Sequence, residues 1–190
     1  MADQLLALAL MLPHDSDLAT YEHQSRLASR LGYTAVHVRT SPGEQFAACD
    51  LEHLTRAAAP TRVVRDDGSD DPSIVRSNDP QLVRERLATL RATGDDRALT
   101  VAVSVSIGRT HNEAVARADR DPRLAGAAHP QESGIFGTFE QAQEQVLALA
   151  RAGAQTLLVT VPQELDIADL LAQVRALVVG ATPVLRDGGR

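Results

Sequence analysis

The chain has 190 residues, a net charge of −6 and a pI near 5.5, with 44% hydrophobic and 23% charged residues. Such a length and composition fit one globular domain, 1–190, and the acidic balance with no basic run argues against nucleic acid and membrane as partners. All 19 basic residues are arginine, which excludes a Walker lysine, a Schiff-base lysine and a lysine general base. Cys49 is the one cysteine, so no intramolecular disulfide forms, and a reducing cytoplasm is the expected setting. The first apolar run, Leu5 to Leu12, is too short to span a membrane and lacks the flanks of a signal peptide.

That run, LLALALML, is unbroken as in a strand buried on both faces, and it ends at Pro13. Ser16 or Asp17 then caps a helix carrying Leu18, Tyr21, Leu27 and Leu31, which Gly32 closes. The β-branched run TAVHVRT predicts a second strand, so the first third reads as a βαβ unit with parallel strands. Between Ser41 and Asp79 the pattern weakens to a helix over 51–59, a short strand over 61–64 and the acidic loop DDGSDDPS. Asn78 or Asp79 with Pro80 opens the next helix, with Leu82, Val83, Leu87 and Leu90 as its stripe and Gly94 as its end. Leu99 to Ile107 reads as a strand, and Thr110-His-Asn-Glu113 as a capping box that starts a short helix. A loose polar linker, 123–133, follows.

The segment GIFGTFEQAQEQVLALARAGAQTLLVTVP poses the main local question. Glycines before a helix suit an anion, because the first-turn amides are free. Gly134 and Gly137 lack the third glycine and preceding strand of a dinucleotide fingerprint, and no Lys follows. Thr138 and Gln141 themselves form a capping box that uses those amides. The local reading is a capped helix, ended by Gly153, that feeds the buried strand TLLVTV. A last helix starts at Asp166 or Asp169, turns Leu170, Leu171, Val174 and Leu177 inward, and stops at Gly180. Strand and helix alternate without hairpin signals, so the class is α/β.

Read together, these pieces resemble the luciferase-like monooxygenases, the flavin- or deazaflavin-dependent relatives of bacterial luciferase. GIFGTFEQAQEQVLALARAGAQTLLVTVP is similar to the family's C-terminal helix–strand unit, with Phe139 where Pro is common. ALTVAVSVSIGRTHNEAVARADRDP resembles the strand and helix that precede it in actinobacterial members, and QLVRERLATLRATGDD the helix before that. LLALALMLPHD and LASRLGYTAVHVRTS resemble the first strand, first helix and second strand, and LTRAAAPTRVV a later run. The resemblance implies a (β/α) TIM-type barrel. Such barrels usually take about 250 residues, so a reduced or incomplete one with mostly parallel strands is expected, short of elements between about 41 and 78. In the family that region holds several strands and the glycine-rich loop for the cofactor phosphate; no such loop is visible here.

The resemblance further implies an oxidoreductase or monooxygenase using reduced FMN or a deazaflavin coenzyme on a small organic substrate. The alternatives are a non-catalytic flavin- or small-ligand-binding protein and a degenerate dimerising subunit of the same fold. An incomplete barrel leaves strand edges unpaired, so a homodimer is expected. Barrel active sites lie at the C-terminal ends of strands, which nominates His14 and His37 as catalytic candidates. Arg39, Thr40, Ser41, Ser104 and Ser106 are the cofactor-binding candidates, although the family often has Asp and His at the positions of Thr40 and Ser41. Ala35, His37 and Arg39 share one strand face; it either points into the barrel or is solvated at an edge. Ser104 and Ser106 share a face that lines a polar cavity or bonds to backbone. His23, His53, His111 and His129 read as surface residues, and no histidine spacing predicts a metal site.

Overall fold

The computed structural model describes residues 6–12, 17–39, 48–66, 71–121, 124, 134–162 and 167–187. The elements are β1 (Ala7–Leu12), α1 (Leu18–Arg30), β2 (Ala35–Arg39), α2 (Ala48–Ala58), β3 (Arg62–Asp66), β4 (Ile74–Val75), α3 (Pro80–Ala92), β5 (Thr100–Ile107), α4 (His111–Arg120), β6 (Gly134–Gly137), α5 (Phe139–Ala152), β7 (Thr156–Thr160) and α6 (Ile167–Asp187). Every described strand pair is parallel. The seven strands form one sheet in the order β3-β2-β1-β7-β5-β4, with β6 paired to the second half of β5. Parallel strands alternating with helices, in a sheet that no ladder among the described residues closes, make this an open α/β fold of the barrel type.

The helix boundaries follow from local chemistry. Asp17 caps α1, its carboxylate accepting from the Thr20 N–H at 2.7 Å. Asp79 caps α3 with Pro80 in the first turn, where a missing N–H costs nothing. Thr138 and Gln141 cap α5 reciprocally: the Gln141 N–H donates to Thr138 Oγ1 at 3.4 Å, and the Thr138 N–H to Gln141 Oε1 at 3.0 Å. Two of the amides that would greet a phosphate there are therefore engaged. Gly153 ends α5 with φ at 108°, a conformation that glycine takes without the Cβ penalty.

Three boundaries differ from the sequence expectation. Gly134–Gly137 is itself a strand, β6, rather than a bare loop before the helix; Ser104 to Ile107 supply the ladder it needs. Ile74–Val75 is a two-residue strand set against the start of β5, too short to leave a periodic signal. The last helix runs through Gly180 to Asp187. An interior glycine costs a helix only about 1 kcal/mol, so the helix runs through it.

Most helices gather on one side of the sheet, while α4 packs on the other, against Ser106 and Phe136. Leu8, Leu10, Leu12, Val36, Val38, Val101, Val103, Val105, Leu157 and Val159 pack with helix residues such as Leu54, Val83, Leu149, Leu171 and Leu177 in the main core. The opposite face carries a smaller cluster of strand residues only: Ala9, Met11 and Leu158, flanked by Ala35 and Ala102. Ala9 is fully buried and Leu158 is 1% exposed. A flat sheet would leave such a face open, so the sheet curls and this face forms the inside of the barrel. None of the described helices is long and apolar enough to cross a membrane.

Candidate functional site

The register stacks the inner face in layers. At the floor, Ala35, Ala9, Leu158 and Ala102 form one row across four strands. Two residues further along each strand, His37 stands beside Met11 and Val64, and Ser104 beside Thr160 and Gly134. At the mouth, Arg39 stands beside Asp66. The Ala35-His37-Arg39 face thus points into the barrel, the first of the two possibilities open from sequence. His37 lies within it, and Arg39 reaches its C-terminal rim.

The two ends of the open sheet meet at that rim. β3 and β4 share no ladder and lie at opposite ends of the strand order. Yet Asp66, the last residue of β3, and Arg76, just past β4, approach to 3.7 Å between Oδ2 and Nη2. Arg39 Nε lies 3.9 Å from the same oxygen. The Asp66 side chain is 7% exposed and the two arginine side chains 47% and 45%. One buried acid is thus clamped between two half-exposed arginines, with a local charge of +1 in a chain whose net charge is −6. Sequence reading found Arg39 but neither Asp66 nor Arg76. Both lie in the weakly patterned stretch, and only the curl of the sheet unites them.

Burial is the main influence on His37, and it lowers the imidazole pKa from its ordinary value. Asp66 opposes this, while Arg62 and Arg76 reinforce it. His37 is therefore a neutral imidazole at pH 7, able to accept a proton inside the barrel. The sign of the pH effect follows. Below about pH 6.5, the ordinary histidine value, the unfolded chain binds a proton that the folded one resists. Stability consequently falls as pH drops from there toward the lowered native value. Denaturant unfolding at pH 7.5 and pH 5.5 should show a larger loss for the native sequence than for His37→Gln.

The other candidates divide clearly. Ser106 is fully buried and donates to the Ala114 carbonyl of α4 at 2.9 Å. Its hydroxyl serves the packing of α4 against Phe136. Ser104 is half-buried in the His37 layer. His14, Thr40 and Ser41 lie outside the described residues. Among the described residues, no group of three or more His, Cys, Asp or Glu is placed to hold a metal. A cavity of about 420 Å³ opens between the first turns of α4 and α6, bordered by Arg109, Glu113, Arg117, Asp169 and Gln173. Its charges are largely spent on each other. Arg117 donates to Ile107 O and to Glu113 at 3.1 Å, and Glu113 also accepts the Arg109 N–H at 3.0 Å.

No protein-family model and no curated protein matches the sequence. Solved structures do match. The chain is similar to apo-MsnO8 with a TM-score of 0.63 and 16% identity, covering 94% of this chain and 98% of that one. It is similar to the coenzyme F420-dependent tetrahydromethanopterin reductase of Methanopyrus kandleri with a TM-score of 0.63 and 8% identity, covering 92% and 99%. At these identities the likeness is one of fold, and it sets the chain among the TIM-barrel-like α/β proteins.

Proposed function

We propose that the chain is a shortened luciferase-like oxidoreductase that binds a reduced deazaflavin or FMN at the open barrel mouth and acts on a small organic substrate. The observation that carries this reading is the inward layer of His37 and Ser104 below an arginine-rich rim, in a fold shared with a coenzyme F420-dependent reductase. The residues present suit such a ligand. The small side chains of Ala35, Ala102 and Ser104 put little bulk on the inner face, and half-exposed Arg39 can hold an anionic side group through its planar fork. When bound, the cofactor supplies the electron-transfer chemistry, and the protein supplies position and surroundings. His37, neutral and sheltered, takes or returns a proton at its free ring nitrogen.

The test is a fluorescence-quenching titration with FMN and, separately, with the deazaflavin coenzyme. Saturation at roughly 1–10 μM supports the proposal. No binding of either up to about 300 μM would sink it and favour a fold kept for another task.

We also propose self-association. β3 and β4 end the described sheet, and Leu82, 46% exposed, borders a groove of about 400 Å³ beside β4. Arg62 and Arg65 on β3 oppose edge-to-edge pairing, so the α3 side is the expected contact. Light scattering at micromolar concentration should give twice the chain mass for the native sequence and less for Leu82→Glu; a monomer in both cases would reject the dimer.

A further inference from the structure

The rim cluster contains more guanidinium than its one carboxylate can use. Asp66 accepts no close hydrogen bond from either arginine: the ion pairs stand at 3.9 Å and 3.7 Å, beyond the usual range of about 2.7–2.9 Å for charge-assisted N–H···O contacts. Each arginine side chain is nearly half exposed, and two ion pairs to one carboxylate leave donor groups on both for another acceptor. The two arginines come from opposite banks of the open sheet, Arg39 from β2 and Arg76 from just beyond β4.

We propose that Arg39 and Arg76 form an oxyanion site, that its ligand is a phosphate-type group, and that Asp66 is its built-in competitor. Asp66 holds the two arginines together when the site is empty. An incoming oxyanion offers three or four acceptor oxygens where the carboxylate offers two, so it draws the guanidinium groups outward. Arg76 links the end of β3 to the end of β4 at the rim. Whatever loosens its hold on Asp66 therefore loosens the join between the ends of the sheet. Binding and opening are linked in both directions, because one guanidinium cannot serve both acceptors fully.

This deepens the proposed function by naming how the mouth takes an anion, and it is testable without any flavin. The probe is pyrophosphate, titrated into the full chain by calorimetry, with amide hydrogen exchange followed over 62–66 and 74–77. Asp66→Asn keeps the shape and removes the competing charge. It should bind pyrophosphate more tightly, by about fivefold, the equivalent of about 1 kcal/mol for a partly exposed ion pair. It should also speed exchange in both segments before any ligand is added. Arg76→Gln should speed exchange in the same two segments but weaken pyrophosphate at least as much. Arg76→Lys should restore part of the join and less of the binding, because it lacks the planar fork. Weaker or unchanged binding in Asp66→Asn would overturn the proposal. So would faster exchange confined to the mutated strand. If pyrophosphate behaves as expected but FMN and the deazaflavin coenzyme do not bind, the oxyanion site stands and the cofactor assignment falls.

Discussion

Leu10→Ala should destabilise the protein by about 2–5 kcal/mol, the range for truncating a fully buried leucine. Leu10 is 0% exposed, at the middle of β1, paired with Val36 on one side and Val159 on the other. Its side chain belongs to the helix-covered core, where loss of three carbons leaves a cavity that rigid neighbours on both strands cannot fill. Urea unfolding should show a lower midpoint with an unchanged slope. Val179→Ala is the control: at 51% exposure it should cost no more than about 0.5 kcal/mol. A similar loss at both positions would mean that the helix-covered face is not the main source of stability.

The second large effect concerns chemistry. Under the proposed function, His37→Gln should lower kcat by about 10²–10⁴, the usual contribution of a positioned acid or base. Cofactor affinity should change little, since the glutamine amide keeps a polar group at the same height in the barrel. The split is the diagnostic. A role in proton transfer moves kcat and removes the acidic limb of its pH profile; a role in lining the cavity moves the binding constant. If turnover survives with its pH profile intact, proton transfer belongs elsewhere in the mouth.

The caps, the glycine stops other than Gly180 and the long apolar runs were legible because each is local. Asp17, Asp79, Thr110, Thr138 and Gly153 act within a turn of themselves, and the structure uses them in those roles. Two strands were not legible. Ile74–Val75 is shorter than any period, and Gly134–Gly137 looks like a turn until β5 supplies the partner that holds it extended. At the site, alternation alone placed His37 and Arg39 on one face. Which way that face points depends on Ala9, Leu158 and Ala102, on strands far away in sequence. Asp66 and Arg76 carried no signal at all, since a lone acid and a lone arginine beside an acidic loop read as solvated charges. Their meeting is a property of the curled sheet.

The first and last strands lie side by side in the middle of that sheet. β1 has β2 on one flank and β7 on the other, and β7 is the link from β1 to β5. During synthesis the emerging chain can assemble β1, β2 and β3 on one hand and β4, β5 and β6 on the other, but the two groups share no backbone ladder until residues 156–160 arrive. A stop codon ahead of β7 would therefore not trim an edge. It would divide the sheet in two, leaving the backbone edge of β1 unpaired along what should have been its centre, a species made for aggregation and rapid proteolysis.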